Sequence, residues 1–94
     1  MDLEQIRQEI DAVDSELVVL LEKRMQLVTQ VTDYKKATGK AILDSSREVA
    51  VLKKAATCVR NKDFEQTIVA TFADIMKNSR DYQSSKLGEQ DNEQ

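Results

Sequence analysis

The sequence predicts an all-helical (all-α) protein with three helices of unequal length: one long, one short and one medium. The chain has 94 residues, no proline and only two glycines, so few of its residues interrupt a helix. Charged side chains are abundant and aromatic ones are few, a composition that favours helices. Apolar residues recur every three or four positions, which is the period of a helix and not of a strand.

The first helix is predicted to run from Leu3 to about Lys36, roughly 50 Å at ~1.5 Å per residue. One of its faces carries an apolar stripe, which consists of Leu3, Ile6, Ile10, Val13, Leu17, Leu20, Leu27, Val31 and Tyr34. Asp2 is placed to cap the helix, and Gln5 is placed to complete a capping box. Gly39 is the predicted terminator.

A second, shorter helix is predicted after the break at residues 37–43. Asp44 offers a cap, and the segment Ser45-Ser46-Arg47-Glu48 fits the capping-box pattern. Apolar residues at helical spacing follow, and we expect this helix to end near Val59.

A third helix is predicted between a cap at Asp63 and an end near Gln83. Its predicted inner face consists of Phe64, Ile68, Phe72, Ile75 and Met76. Residues 84–94 are polar and lack periodicity, so we expect a disordered tail there and a folded domain over residues 1–83.

The two shorter helices can cover only part of the apolar stripe, so a single chain would leave apolar surface bare. A second copy is the simplest cover, and two long helices packed on each other predict an intertwined helical homodimer. From the periodicity alone, a plain coiled-coil dimer without a pocket is the alternative.

Arg24 stands where the apolar stripe calls for a leucine, after Leu20. A guanidinium in a buried seam is costly unless an anion meets it. Lys35 follows eleven residues later, so the two cations point in directions that differ by only about 20°. Together with Arg47, they predict a water-poor pocket for a small molecule with several negative charges. The alternatives are that Arg24 pairs with a buried acid or extends to water from the edge of the seam, and that Lys35 only compensates the helix dipole.

Arg7 lies 17 residues before Arg24, or roughly 25 Å along the helix. No small metabolite spans that distance. Arg7 can therefore join the pocket only from a partner chain whose first helix runs antiparallel. The alternative is a surface residue paired with Glu4 or Asp11.

Composition excludes several classes of function. The net charge of −3 and pI of about 4.9 argue against a nucleic-acid or anionic-membrane surface. With Cys58 as the only cysteine and no histidine, intramolecular disulfides and the usual zinc sites are excluded. We expect Cys58 to be a small apolar filler. No apolar run reaches transmembrane length and the start lacks signal-peptide features, so a cytoplasmic location is expected.

In order and spacing, these residues resemble the all-helical chorismate mutases of bacteria over residues 3–83. The matching stretches are Ile6-Arg7-Gln8-Glu9-Ile10-Asp11 with Asp14, Leu21-Glu22-Lys23-Arg24, Lys35, Asp44-Ser45-Ser46-Arg47-Glu48, and Ser79 with Gln83. The Asp-x-x-Arg-Glu motif at residues 44–48, at its distance from Arg24 and Lys35, is the most specific of them.

The resemblance implies conversion of chorismate to prephenate, a pericyclic (Claisen) rearrangement in phenylalanine and tyrosine biosynthesis. It implies no cofactor, no metal and no catalytic nucleophile. The substrate is a dianion that must be held in a compact form so that its two reacting carbons meet. Its ether oxygen gains negative charge as the C–O bond breaks, and fixed donors must meet that charge.

The resemblance also implies a role for each residue at the two acidic ends and at the ether oxygen of the substrate. Arg7 of the partner subunit and Arg24 would clamp the two carboxylates, and Ser79 would contact a carboxylate. Lys35 and Gln83 would both donate to the ether oxygen. The family carries glutamine or glutamate at the Gln83 position, and glutamine predicts a flat activity profile across about pH 5 to 8.

For the second helix, the resemblance implies that Glu48 holds the ring hydroxyl, with Asp44 nearby. Arg47 would bind a carboxylate or brace the site. The segment before Asp44 departs from the family pattern because it lacks proline and has Leu43 where an arginine is sometimes found. This departure affects the stiffness of the loop and none of the named contacts.

Two other functions compete with the mutase. Isochorismate-pyruvate lyases share the fold and several of the cations but tend to lack the Asp-x-x-Arg-Glu turn seen at residues 44–48. A non-catalytic helical dimer, acting as an interaction module, would need none of the cations in a pocket.

Overall fold

The fold consists of three α-helices and one short 3₁₀ turn. It comes from a computed structural model that describes the backbone of residues 2–91 and the side chains of residues 2–88. The elements are α1 (Leu3–Thr38), α2 (Ser45–Cys58), the 3₁₀ turn (Lys62–Phe64) and α3 (Glu65–Asp91). The described residues contain no strand, so the all-helical prediction is confirmed.

Both ends of α1 follow the predicted signals. The Asp2 carboxylate accepts from the Gln5 backbone N–H at 2.9 Å, and the Gln5 side chain accepts from the Asp2 N–H at 3.0 Å. This reciprocal pair is a capping box that satisfies two N–H groups at the helix start. At the other end Gly39 adopts φ +72°, a left-handed conformation that favours glycine, and its N–H bonds to the Lys35 carbonyl.

Helix α2 begins differently from the prediction. Its cap is Asp44, whose carboxylate accepts from the Arg47 N–H at 3.1 Å. The capping box predicted from Ser45 to Glu48 is therefore wrong, because the helix already starts at Ser45 and the Glu48 side chain points to α3 instead. Helix α2 ends at Cys58, one residue before the predicted end. Cys58 is exposed and is not the apolar filler we expected.

Helix α3 also departs from the prediction at both ends. Asn61 caps the 3₁₀ turn by accepting from the Asp63 N–H at 3.1 Å, so Asp63 lies inside that turn and is not the cap of the long helix. The helix continues past Gln83 to Asp91, so residues 84–91 are helical and the predicted disorder is wrong there. Extending an existing helix requires no apolar periodicity. Residues 92–94 of the predicted tail lie outside the described part of the chain.

Helix α3 is the centre of the fold because it packs against both α1 and α2. Of the described residues, only four are buried: Met76, Thr32, Ser79 and Gln83. Three of these side chains are polar. The overall dimensions of 58 × 26 × 16 Å explain the small core, since the thinnest dimension is only about one and a half times the ~10–12 Å diameter of one helix. Phe64, predicted on the inner face of the third helix, is exposed.

The apolar stripe of the first helix is bare in the single chain. Its nine residues are between 40% and 62% exposed. The side of α1 that faces α3 is the neighbouring one, where Leu21, Met25 and Val28 are half-buried and Thr32 is buried. Within residues 2–91, no helix has the length and apolar content needed to cross a membrane.

Candidate active site

Seven of the eight predicted site residues surround one cavity of about 290 Å³ between the three helices. They are Arg24, Lys35, Asp44, Arg47, Glu48, Ser79 and Gln83. The rest of the wall consists of Arg80 and six apolar residues, which are Leu27, Val28, Val31, Ile42, Val51 and Met76. Electrostatic interactions are stronger against such a wall than in open water, because the local dielectric constant is lower.

The cavity is positively charged although the whole chain is acidic. Four cationic side chains line it (Arg24, Lys35, Arg47 and Arg80), against two acidic ones (Asp44 and Glu48). The lining thus carries a net of two positive charges, whereas the chain carries −3. Positive charge is therefore concentrated at this one place, where it favours a small anion.

Arg24 reaches the cavity from α1 and is fixed there by α3. Its Nη1 donates to the Ser79 hydroxyl at 2.8 Å, and that hydroxyl donates in turn to the Ile75 carbonyl at 2.9 Å. Ser79 is only 4% exposed, so the bond is shielded from water. Because a guanidinium has five N–H donors in a planar fork, the others remain available for an anionic ligand.

Lys35 joins the end of α1 to the loop that precedes α2. Its Nζ donates to the backbone carbonyl of Ile42 and the side chain is half-buried. An ammonium carries three N–H donors, so a ligand can still be bound by the other two.

Asp44 and Arg47 stand at the exposed edge of the cavity, at the start of α2. The Asp44 carboxylate is engaged by the backbone of Arg47 as the helix cap. The Arg47 guanidinium makes no hydrogen bond to any residue that the structure describes, so it is the least constrained of the four cations.

Gln83 is the buried polar group on the α3 side. It is 6% exposed, and its Nε2 donates to the Ser79 carbonyl at 3.3 Å. Its Oε1 is buried and has no hydrogen-bond partner among the described residues. An unpaired buried polar atom costs about 1–3 kcal/mol. Since one N–H of the amide is also unused, the side chain has capacity for a polar ligand on both of its atoms.

Arg80 belongs to the same cavity and was missed by the sequence analysis. Its Nη1 forms an ion pair with Oε1 of Glu48, which links α3 to α2. A helical signal for it exists: position 80 lies four residues after Met76 and three before Gln83, so the three share one face.

Arg7 does not reach this cavity within the chain. It is exposed on the first turns of α1 and is absent from the lining. Among the described residues, no three acidic or cysteine side chains are grouped so as to hold a metal ion.

A model of chorismate mutase type II matches residues 6–84, which is most of the chain. The chain belongs to this family. The matched range contains all eight predicted site residues, Arg7 included. It ends one residue after Gln83, so the last turns of α3 lie beyond it.

This chorismate mutase type II chain is also similar to the T-protein of Haemophilus influenzae, with 43% identity over 51 residues. That alignment covers 54% of the chain and 14% of the T-protein, so the chain spans only a small part of the relative it matches. No solved structure matches the chain.

Proposed function

We propose that this protein is a chorismate mutase that converts chorismate to prephenate. The observation that carries the proposal is the convergence of Arg24, Lys35, Glu48 and Gln83 on one small cavity. Family membership supports the same reaction.

The cavity suits a small dianion in charge and size. The net of two positive charges in its lining balances the two carboxylates of chorismate. Its volume of about 290 Å³ is at the small end of ligand pockets, which typically measure about 300–1,000 Å³. A tight pocket favours the compact form of a flexible substrate, and holding that form accounts for part of the rate enhancement.

The reaction needs donors at the ether oxygen rather than an acid, a base or a nucleophile. Lys35 on α1 and Gln83 on α3 enter the cavity from different helices, and both keep unused N–H groups. Donors that are already oriented stabilise the charge that develops on the oxygen as the C–O bond breaks. Arg24 binds a carboxylate, and Glu48 accepts from the ring hydroxyl.

The active form we propose is a homodimer in which Arg7 of the partner subunit completes the site. The bare apolar stripe supports a second copy, since exposed apolar surface of this extent marks an interface. Within one chain, Arg7 is about 25 Å from Arg24 along α1. An antiparallel partner helix brings it to the second carboxylate of the substrate.

Product identification tests the function directly. The purified protein is incubated separately with chorismate and with isochorismate, and the products are identified by NMR. We expect prephenate from chorismate. Salicylate and pyruvate from isochorismate would instead select the lyase, and two unchanged substrates with a fully helical protein would select a non-catalytic dimer. Arg24→Ala serves as the inactive control for contaminating enzyme.

A further inference from the structure

The pairing of Arg80 with Glu48 gives the cavity a feature that none of the assigned roles explains. The two residues come from different helices and are only 30% and 24% exposed in their side chains. Arg80 donates to Oε1 of Glu48, while Oε2 accepts no hydrogen bond from the residues that the structure describes. One oxygen of the carboxylate is thus held by the protein and the other is left for a ligand.

The charge of Glu48 poses a problem that Arg80 solves. An isolated carboxylate in this cavity would repel a dianionic substrate, because like charges interact strongly where water is scarce. Asp44, which lines the same cavity, adds to that repulsion. A guanidinium bonded to Glu48 offsets its charge without removing its ability to accept a hydrogen bond.

We infer that Arg80 is a positioning residue, which holds Glu48 by Oε1 so that Oε2 faces the hydroxyl of the substrate. The inference rests on the proposed mutase function, in which Glu48 accepts that hydroxyl. Arg80 acts through Glu48 and does not itself bind a substrate carboxylate.

An exposed ion pair within α3 supplies a matched control. Lys77 and Asp81 are joined at 3.3 Å, but both side chains are 65% exposed. Exposed pairs of this kind contribute little to stability. Lys77→Gln therefore removes one cation from the same helix without touching the cavity, whereas Arg80→Gln removes one from its wall.

A double-mutant cycle on chorismate turnover separates action through Glu48 from direct binding. We expect Arg80→Gln to lower kcat/KM by about tenfold or more, within the range for side chains in contact, and Lys77→Gln to change it by less than about twofold. In a Glu48→Gln background, the same Arg80→Gln change should cost less than about threefold. An equal loss in both backgrounds would show that Arg80 acts on the substrate directly and would overturn the inference.

The division of the loss between kcat and KM gives a second readout. If Arg80 acts by holding Glu48, Arg80→Gln and Glu48→Gln should show the same relative changes in kcat and KM. Arg80→Lys should then recover part of the activity. A KM increase seen with Arg80→Gln alone would indicate a substrate-binding cation instead.

Thermal unfolding keeps this test independent of the proposed function. The Tm is measured for the wild type, Arg80→Gln, Glu48→Gln and the double variant. A real pair predicts that the double variant melts no lower than the less stable single variant; additive decreases in Tm would show that Arg80 does not hold Glu48. If the two substitutions are coupled in Tm but not in kcat/KM, the Arg80–Glu48 pair only links α2 to α3 and does not position Glu48 for the substrate. If the wild type leaves chorismate unchanged, the mutase function fails, and the Tm cycle alone decides whether the pair exists.

Discussion

Arg24 and Ser79 are 55 residues apart in the sequence, yet a 2.8 Å hydrogen bond joins them across the contact between α1 and α3. Ser79 is buried, and its hydroxyl donates to the Ile75 carbonyl, so the lone pairs of the oxygen face the guanidinium. The direction in which Arg24 presents its remaining donors is therefore fixed by a residue of another helix.

Replacing Arg24 should abolish most of the activity without unfolding the protein. We expect Arg24→Ala to lower kcat/KM for chorismate by at least about 10²–10³, the usual effect of losing one preorganised donor. Arg24→Lys should be nearly as damaging, because an ammonium retains the charge but lacks the planar fork. Both are measured by following the loss of chorismate absorbance.

Lys23→Ala is the matched control, since it removes the neighbouring, exposed cation of the same helix. Circular dichroism should show all three variants helical, because Arg24 forms no ion pair with a described residue and its removal leaves no buried charge unpaired. Full turnover by Arg24→Lys would mean that Arg24 is only structural.

Ser79→Ala should reduce activity through Arg24. A hydrogen bond to a charged group contributes about 1.5–3 kcal/mol, so its loss predicts a decrease in kcat/KM of roughly 10- to 150-fold. Ser84→Ala is the control, because Ser84 is the next serine along α3 and is exposed. This variant should leave kcat/KM unchanged. If Ser79→Ala were as active as Ser84→Ala, the Arg24–Ser79 bond would have no part in orienting the guanidinium.

The residue at position 83 should determine the pH dependence. An amide does not titrate, so the wild-type rate should vary little between about pH 5 and 8. In Gln83→Glu the side chain donates to the ether oxygen only when protonated, and free glutamate has a pKa of about 4.3. Activity of this variant should therefore fall as the pH rises, with an acidic optimum. Rate profiles of both proteins from about pH 4 to 9 check this, and a steep loss above about pH 6 in the wild type would contradict it.

A mixture of two inactive variants should recover activity if the site is shared between chains. Arg7→Ala and Arg24→Ala dimers are each damaged at both sites, but a mixed dimer has one intact site and one doubly damaged site. With equal amounts and random exchange, about a quarter of all sites should be intact. Sedimentation analysis and native mass spectrometry establish the dimer and the exchange. Proven exchange with no recovered activity would place Arg7 outside the site.

The sequence was sufficient where the determining interaction is local. The capping box of Asp2 and Gln5 involves neighbouring residues, and Gly39 ends α1 through its own backbone conformation. Helical spacing and the resemblance together also selected seven residues that line one cavity. Helix spacing places Arg24 and Lys35 on one face of α1. The residues of α2 and α3 were implied by the resemblance, because spacing within a helix does not tell which helices meet.

The sequence was insufficient where another element decides. Arg80 looks like one more surface cation of a charged helix until α2 places Glu48 opposite it. The pattern of the apolar stripe does not tell which helix covers it. In the single chain, α3 packs on the neighbouring side of α1 and leaves the stripe exposed. The polar segment 84–91 lacks an apolar pattern and is helical because it continues α3.

Met76, Ser79 and Gln83 are buried and also line the cavity, which has a consequence for how this chain evolves. In most small proteins, packing and recognition are assigned to different positions, so one can change while the other is conserved. Under the proposed function the same three positions serve both, and a bound metabolite would itself supply interior contacts and raise the melting temperature. Under that function, a change of metabolite would also require substitutions in the interior. The stability of the fold and the choice of bound compound would therefore have to evolve together.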